Sequence, residues 1–193
     1  MAPHPGLVDK DSAVLVVVDI QDKLAAVMPE REAVAACAAR LVRACGHLGI
    51  PVLLTRQYPK GLGDTVAEVR EAYESLPPGL GAGVVDKTAF CCTLEPTFED
   101  ALSSTGRGQV VLAGMETHIC VAQTALGLLG EGRRVHVVHD AVCSRDVKDH
   151  ERALNRICAE GVTVTTSESF LYEALGRAEG DAFKAVLEIV KGS

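Results

Sequence analysis

The feature that most constrains the fold is a short apolar run near the start of the chain. Residues 13–18 read AVLVVV, and Asp19 closes the run. An uninterrupted β-branched run, without alternating polar residues, is typical of a strand that is covered on both faces in a parallel sheet. We therefore predict that this segment is the central strand of an α/β sheet, with Asp19 at its carboxyl end.

Further strands alternate with helices along the rest of the chain. Glu30 to Leu48 carries apolar residues at a helical period, and Gly49 and Pro51 end this helix before the next strand. The predicted strands cover 13–19, 51–56, 84–87, 109–115, 134–140 and 162–166. The other predicted helices cover 64–75, 96–106, 118–129, 149–160, 169–175 and 181–191. This alternation predicts one domain over 1–193, a three-layer αβα sandwich with a six-stranded, mostly parallel, Rossmann-like sheet.

Composition excludes several classes of function. The 19 Lys and Arg residues are scattered, and 26 Asp and Glu residues outnumber them to give a net charge of -7, so we predict no nucleic-acid partner. No apolar run approaches the roughly 18 residues that span a bilayer, which predicts no membrane partner. The first residues lack the pattern of a secretory signal, so we expect a cytoplasmic location. Seven cysteines, with no Cys-x-x-Cys pair, are expected to be reduced thiols.

Polar side chains follow the predicted strands at the edge where such folds bind ligands. The residues at these ends are Asp19, Arg56, Gln57, Asp86 and Lys87. A carboxylate that ends a buried strand loses solvation, which raises its pKa, whereas a nearby lysine lowers it, and opposed effects of this kind mark proton-transfer sites. Two simpler interpretations stay open at this point: Asp19 could cap a helix beginning QDKL, and Lys87 could be a solvated surface residue.

Cys120 is the leading candidate for a nucleophile. It follows the segment GMETHI and opens the predicted helix 118–129, where unpaired N–H groups and the helix dipole favour a thiolate. The same N–H groups could bind an oxyanion. The alternative, a small buried hydrophobe, suits Cys37, Cys45 and Cys158 on their helical faces. The competing reactive thiols are Cys91 and Cys92, which we interpret as pocket lining.

The histidines do not predict a metal centre. His136 and His139 lie three apart on a predicted strand and therefore face opposite sides of the sheet. His118 has no second ligand at a suitable spacing. The sequence accordingly predicts no metal and no cofactor.

Taken together, the segments VVVDIQDKL, DKTAF and GMETHICV resemble the isochorismatase-like cysteine hydrolase superfamily. LLTRQYPKGLGDTVAEV, VVDKTAFCC, VHVVHDAVCSR and TTSESFLYEALG are more closely similar to the isochorismatase-domain-containing hydrolases. The resemblance implies a catalytic triad of Asp19, Lys87 and Cys120. It also implies a cis peptide bond between Met115 and Glu116, and an oxyanion hole formed by the N–H groups of Glu116 and Cys120.

Two departures narrow what the resemblance implies. Nicotinamidases of the superfamily hold a metal with an Asp and histidines after the second strand, where this chain has Gln57, Tyr58 and Pro59. No cationic cluster suited to a dicarboxylate such as isochorismate is evident beyond Arg56 and Lys60. We therefore do not expect metal-dependent nicotinamidase activity.

The leading functional prediction is a cysteine hydrolase that acts on a small amide or related C–N acyl compound through a thioacyl intermediate. The predicted substrate-pocket residues are Gln21, Gln57, Tyr58, Phe90 and Cys91. The alternatives are a non-catalytic binding or scaffold protein of the same fold and an isochorismatase-type vinyl ether hydrolase. A homo-oligomer is also predicted, because the alanine- and glycine-rich helix around 121–130 offers a close-packing face and relatives of the superfamily are commonly oligomeric.

Overall fold

The computed structural model describes His4 and residues 6–192, and its centre is a six-stranded sheet. The strands are β1 (Ala13–Val18), β2 (Val52–Gln57), β3 (Gly81–Lys87), β4 (Gln109–Met115), β5 (Arg134–Cys143) and β6 (Thr163–Thr165). They lie in the order β3-β2-β1-β4-β5-β6, and all neighbouring pairs run parallel. The predicted α/β fold with six strands is confirmed, and the sheet is wholly rather than mostly parallel.

The strand order places Asp19 at a turning point of the chain. From β1 the chain builds outward through β2 and β3, then returns to form β4 on the other side of β1. Val18, the last residue of β1, pairs with Thr55 on one side and with Gly114 on the other. The carboxyl ends of β1 and β4 therefore flank the point where strand order reverses, which is the usual ligand position in such sheets.

Helices cover both faces of the sheet. They are α1 (Asp22–Ala25), α2 (Arg31–Leu48), α3 (Pro59–Leu62), α4 (Ala67–Glu74), α5 (Pro96–Ser104), α6 (Ala122–Gly130), α7 (Val147–Ala159), α8 (Ser167–Leu175) and α9 (Gly180–Lys191). Leu15 and Val17 of β1 pack into the core formed with α2, α4, α8 and α9, while Val14, Val16 and Val18 pack into the core formed with α5, α6 and α7. Because successive side chains of a strand point to opposite faces, both sets had to be apolar.

Several element boundaries differ from the predictions. Strand β3 begins at Gly81, in a segment whose glycines and prolines predicted a turn. Strand β5 continues beyond its predicted end to Cys143. The four-residue helices α1 and α3 are too short to show a hydrophobic period and were not predicted. Within the described residues, no helix is both long and apolar enough to cross a bilayer.

Candidate active site

Asp19 and Lys87 form a buried ion pair at the carboxyl ends of β1 and β3. Lys87 Nζ lies 2.6 Å from Asp19 Oδ2, and both side chains are fully buried. The hydroxyl of Thr55 donates to the other carboxylate oxygen at 2.7 Å. Asp19 does not cap α1, whose N-cap is Gln21, and Lys87 is not a surface lysine. Both simpler interpretations of these residues are therefore wrong.

The backbone at Asp19 turns sharply to aim its carboxylate at Lys87. Its φ is 54°, in the left-handed region, which Asp tolerates better than most residues other than glycine. Strand β1 thus ends on a residue type that can make this turn and carry a charge.

The Lys87 ammonium is held by protein groups on several sides. Besides its ion pair with Asp19, it donates hydrogen bonds to Gln57 Oε1 at 2.6 Å and to the carbonyl of Ala89 at 3.2 Å. Burial acts to lower the pKa of Lys87, but the negative charge of Asp19, together with Cys92 and Cys120, outweighs burial and leaves the pKa above its usual value. Lys87 is therefore a fixed positive charge.

Two glutamines hold this lysine in place. The Gln21 side chain accepts from Gln57 N–H at 2.7 Å and donates to the carbonyls of Gln57 and Gly63 at 3.1 and 2.8 Å. The Gln57 amide in turn bridges Lys87 and the carbonyl of Thr88. Gln21 is fully buried and Gln57 nearly so. Both amides are hydrogen-bonded to protein partners and position Lys87, and their contact with a substrate stays a prediction.

Cys120 lies beside this pair. It is 5% exposed and sits in a wide, π-type turn, Thr117–Val121, that leads directly into α6. Burial raises the pKa of the Cys120 thiol, and the charge of Asp19 and a hydrogen bond to its side chain raise the pKa further, while Lys87 lowers it. The direction of this pKa shift favours a neutral Cys120 thiol over the thiolate that the helix terminus alone predicted. The Asp19 carboxylate lies next to this thiol.

The backbone just before the thiol contains the predicted non-proline cis peptide bond. The peptide bond between Met115 and Glu116 is cis. Among the described residues, the Glu116 N–H has no hydrogen-bond acceptor. The Glu116 carboxylate, by contrast, is occupied by the backbone N–H and Nε of Arg145 at 3.0 and 3.1 Å.

A second buried thiol, Cys92, adjoins Asp19 and Lys87; the sequence had offered it together with Cys91 as a competing thiol. Burial raises its pKa to about 12, and Lys87 and Asp19 are its charged neighbours. Cys91 is only half-buried, and its Sγ lies 3.3 Å from both Thr93 Oγ1 and the carbonyl of Gln123. Because the two cysteines are adjacent, the sequence does not indicate which of them faces the core.

Tyr58 and Phe90 lie on the outer side of the same sheet edge. The Tyr58 N–H donates to the carbonyl of Lys87, and the two aromatic residues are 56% and 54% exposed. They do not enclose the thiol within one copy of the chain.

The positive charge at this edge of the sheet is largely paired with carboxylates and is not free to bind an anionic substrate. Arg56 makes a two-point contact with Asp86 at 2.6 and 3.1 Å and reaches Asp64 at 2.8 Å, so its guanidinium is already paired. In the part of the chain that the structure describes, no group of three or more His, Cys, Asp or Glu side chains is arranged to hold a metal ion.

Comparison with known proteins identifies the family. A sequence model of the isochorismatase domain matches residues 13–169, most of the chain. The chain belongs to the isochorismatase family. The family predicted from the sequence motifs is thereby confirmed.

Relatives in this isochorismatase family include two vertebrate groups. Isochorismatase domain-containing protein 1 of Salmo salar is 44% identical over 155 residues, which are 80% of this chain and 52% of that protein. This chain therefore spans about half the length of that relative. Isochorismatase domain-containing protein 2 of Danio rerio is 37% identical over 185 residues, 96% of this chain and 90% of that one.

Solved structures share the fold over nearly its whole extent. MAR1 ribonuclease from Caenorhabditis elegans is 34% identical with a TM-score of 0.87, over 96% of this chain and 92% of that one. YcaC from Pseudomonas aeruginosa, solved with hexane-2,5-diol and covalent acrylamide, is 25% identical with a TM-score of 0.85, over 97% and 93% of the two chains.

Proposed function

We propose that this isochorismatase-family chain is a cysteine hydrolase that cleaves a small amide or related C–N acyl compound. Membership of the family supports a hydrolase in general. The observation that carries the finer proposal is the fully buried ion pair of Asp19 and Lys87 beside the Cys120 thiol. Burying two charges costs several kcal/mol of solvation for each ion, so such a pair at the switch point of the sheet favours a proton-transfer role over a stabilising one.

The first half of the proposed reaction forms a thioacyl enzyme. Asp19 takes the proton of the Cys120 thiol as the sulfur attacks the substrate carbonyl carbon, and the carbonyl π electrons move to oxygen. The tetrahedral intermediate then collapses, the C–N bond breaks, and Asp19 returns the proton to the leaving amine. The buried neutral thiol suits this sequence, because the proton leaves only when the substrate is in place.

The second half releases the acid. Asp19 removes a proton from water as the water oxygen attacks the thioester carbonyl carbon, and the proton then returns to sulfur as the C–S bond breaks. The Lys87 ammonium, 2.6 Å from Asp19 Oδ2, supplies the opposite charge to this carboxylate between the steps. The N–H groups of Glu116 and Cys120 would bind the oxyanion in both halves, each donor being worth about 3 kcal/mol of barrier.

The entrance to the site is proposed to lie at Tyr58, Phe90 and Cys91. Because the two aromatic side chains are more than half exposed, we propose that a second copy of the chain covers them in a homo-oligomer. The face of α6 that suggested self-association is already used, since Gly127 packs against Thr93 and Cys91 of the same chain. We also propose that the protein is located in the cytoplasm.

The covalent acrylamide in the P. aeruginosa relative is in line with covalent chemistry in this fold. The C. elegans relative is named a ribonuclease. For this chain we favour a small-molecule substrate, because the net charge is -7 and Lys87 and Arg56 are paired with carboxylates. RNA belongs in the substrate screen as the competing class.

A screen of wild-type protein against small amides, N-carbamoyl compounds, nicotinamide and a short RNA tests the proposal. We expect release of amine or ammonia from at least one C–N compound, with the turnover number reduced by roughly a thousandfold or more in Cys120→Ala. The control is Cys92→Ala, which removes the neighbouring buried thiol and should keep turnover within about tenfold of wild type. Turnover that survives Cys120→Ala would exclude the thioacyl route. Cleavage of RNA alone would replace the proposed substrate class.

A further inference from the structure

A second concave site lies at the carboxyl end of β5, apart from the triad. It is a cleft of about 410 Å³ between the residues that lead into α2, the end of β5 and the first turns of α7. Val34, Val142 and Val147 supply apolar surface to its walls. We call it the β5 cleft, and none of its lining residues belongs to the proposed catalytic triad.

The polar side chains of the β5 cleft are three carboxylates, two histidines and a serine. Glu30 and Glu151 are exposed side chains of its lining, and neither has a side-chain hydrogen bond or ion pair among the described residues. Asp140 is already bound to the backbone N–H and hydroxyl of Ser167. The lining residues within the described chain include no Lys or Arg. An anionic ligand would therefore find no counter-charge on a side chain, whereas a cationic ligand would find two free carboxylates.

His150 gives the β5 cleft a buried polar group with a free ring nitrogen. The residue is 8% exposed and lines the cleft from α7. Its Nδ1 lies 3.0 Å from Thr117 Oγ1, and the His139 ring contacts it edge-on with centroids 5.5 Å apart. Among the described residues, the His150 ring makes its hydrogen bond through Nδ1 and none through Nε2. In the tautomer whose Nδ1–H donates to Thr117 Oγ1, Nε2 is a hydrogen-bond acceptor directed away from that contact, and the proposal below requires this tautomer.

The ionisation state of His150 agrees with this role. Burial lowers the pKa of His150, and the neighbouring His139 lowers it further, against the opposite effect of Glu30 and Glu151. A neutral imidazole can accept from a cationic donor without repelling it. The positive N-terminal end of α7 is also partly neutralised, because the Lys148 N–H donates to the Asp146 carboxylate.

We propose that the β5 cleft binds a small primary amine with an apolar body, its ammonium held by Glu30, Glu151 and Nε2 of His150. The valine walls would take the hydrocarbon part. The bound amine would contact His150, whose Nδ1 contacts Thr117 in the turn that follows Glu116 and contains Cys120. The binding claim itself does not depend on the proposed hydrolase activity.

Titration of the native full-length protein with benzylamine, followed by ¹H–¹⁵N NMR of the histidine rings, tests the site. We expect saturable binding, with a Kd on the order of 1 mM, that shifts the His150 Nε2 signal in the direction of an acceptor gaining a hydrogen bond. The signal is assigned by its loss in His150→Gln. Benzyl alcohol and benzoate, which match the ring but carry no positive charge, should bind at least about fivefold more weakly.

Charge variants on and near α7 supply the matched comparison. Glu151→Gln should weaken benzylamine binding by about three- to fivefold, and Glu30→Gln/Glu151→Gln by more. Glu160→Gln removes an equally exposed carboxylate at the other end of α7 and should leave Kd unchanged. Benzoate binding as tightly as benzylamine, or equal Kd values in Glu151→Gln and Glu160→Gln, would overturn the proposal. Either result is independent of whether the protein hydrolyses an amide.

Discussion

Replacement of Lys87 by Met is expected to lower the free energy of unfolding by about 3 to 5 kcal/mol, because it leaves the buried Asp19 carboxylate without its partner charge. Methionine keeps most of the volume of the lysine stem, so the cost comes from the charge and from the amide of Gln57, which also loses its donor. Urea unfolding followed by circular dichroism measures the effect.

The control for this change is Lys60→Met. Lys60 is exposed on the four-residue helix α3, so the same substitution there should alter stability by less than about 0.5 kcal/mol. Equal effects of the two substitutions would mean that the Asp19–Lys87 pair is solvated in solution.

Gly114→Ala is expected to destabilise the protein by about 4 kcal/mol or more, or to prevent folding. The φ of Gly114 is 132°, and a Cβ added there would overlap the carbonyl oxygen of Val18 in the neighbouring strand. The position lies between the end of β1, which presents Asp19, and the Met115–Glu116 peptide. Only a residue without a side chain allows β1 and β4 to approach this closely.

Gly108→Ala is the matched comparison, since a Cβ at that position would meet nothing within 4 Å. Its melting temperature should stay close to that of the wild type. A Gly114→Ala protein with wild-type stability would show that β1 and β4 are farther apart than described here.

Much of this architecture follows from local patterns in the sequence. The unbroken apolar run of β1 predicted a strand buried on two faces, and both cores confirm that burial. The alternation of strands and helices predicted the layered fold, and the strand ends marked Asp19 and Lys87 because parallel strands present their carboxyl ends at one edge.

The parts that could not be predicted depend on contacts between distant segments. Whether Gln21 faces solvent or the backbone of Gln57 depends on how the segment after β1 meets the end of β2. The choice between Cys91 and Cys92 depends on the packing of the turn after β3. The helix terminus predicted a lowered pKa for Cys120, but burial and the nearby Asp19 carboxylate raise it. Charge balance in a buried site needs the three-dimensional arrangement.

The central claim is that Asp19, Lys87 and Cys120 act as one electrostatic unit, and the pH dependence of Cys120 alkylation tests it most directly. Iodoacetamide labelling of the Cys120 peptide is quantified by mass spectrometry in wild type, Lys87→Met and Asp19→Asn. Each protein is measured at a temperature and pH at which circular dichroism shows that it is folded. In wild type the thiolate should form only above the ordinary thiol pKa of about 8.5, because burial and Asp19 raise the pKa. Loss of the Lys87 charge should move the inflection to higher pH, and loss of the Asp19 charge should move it to lower pH. Coincident profiles in the three proteins would contradict the account.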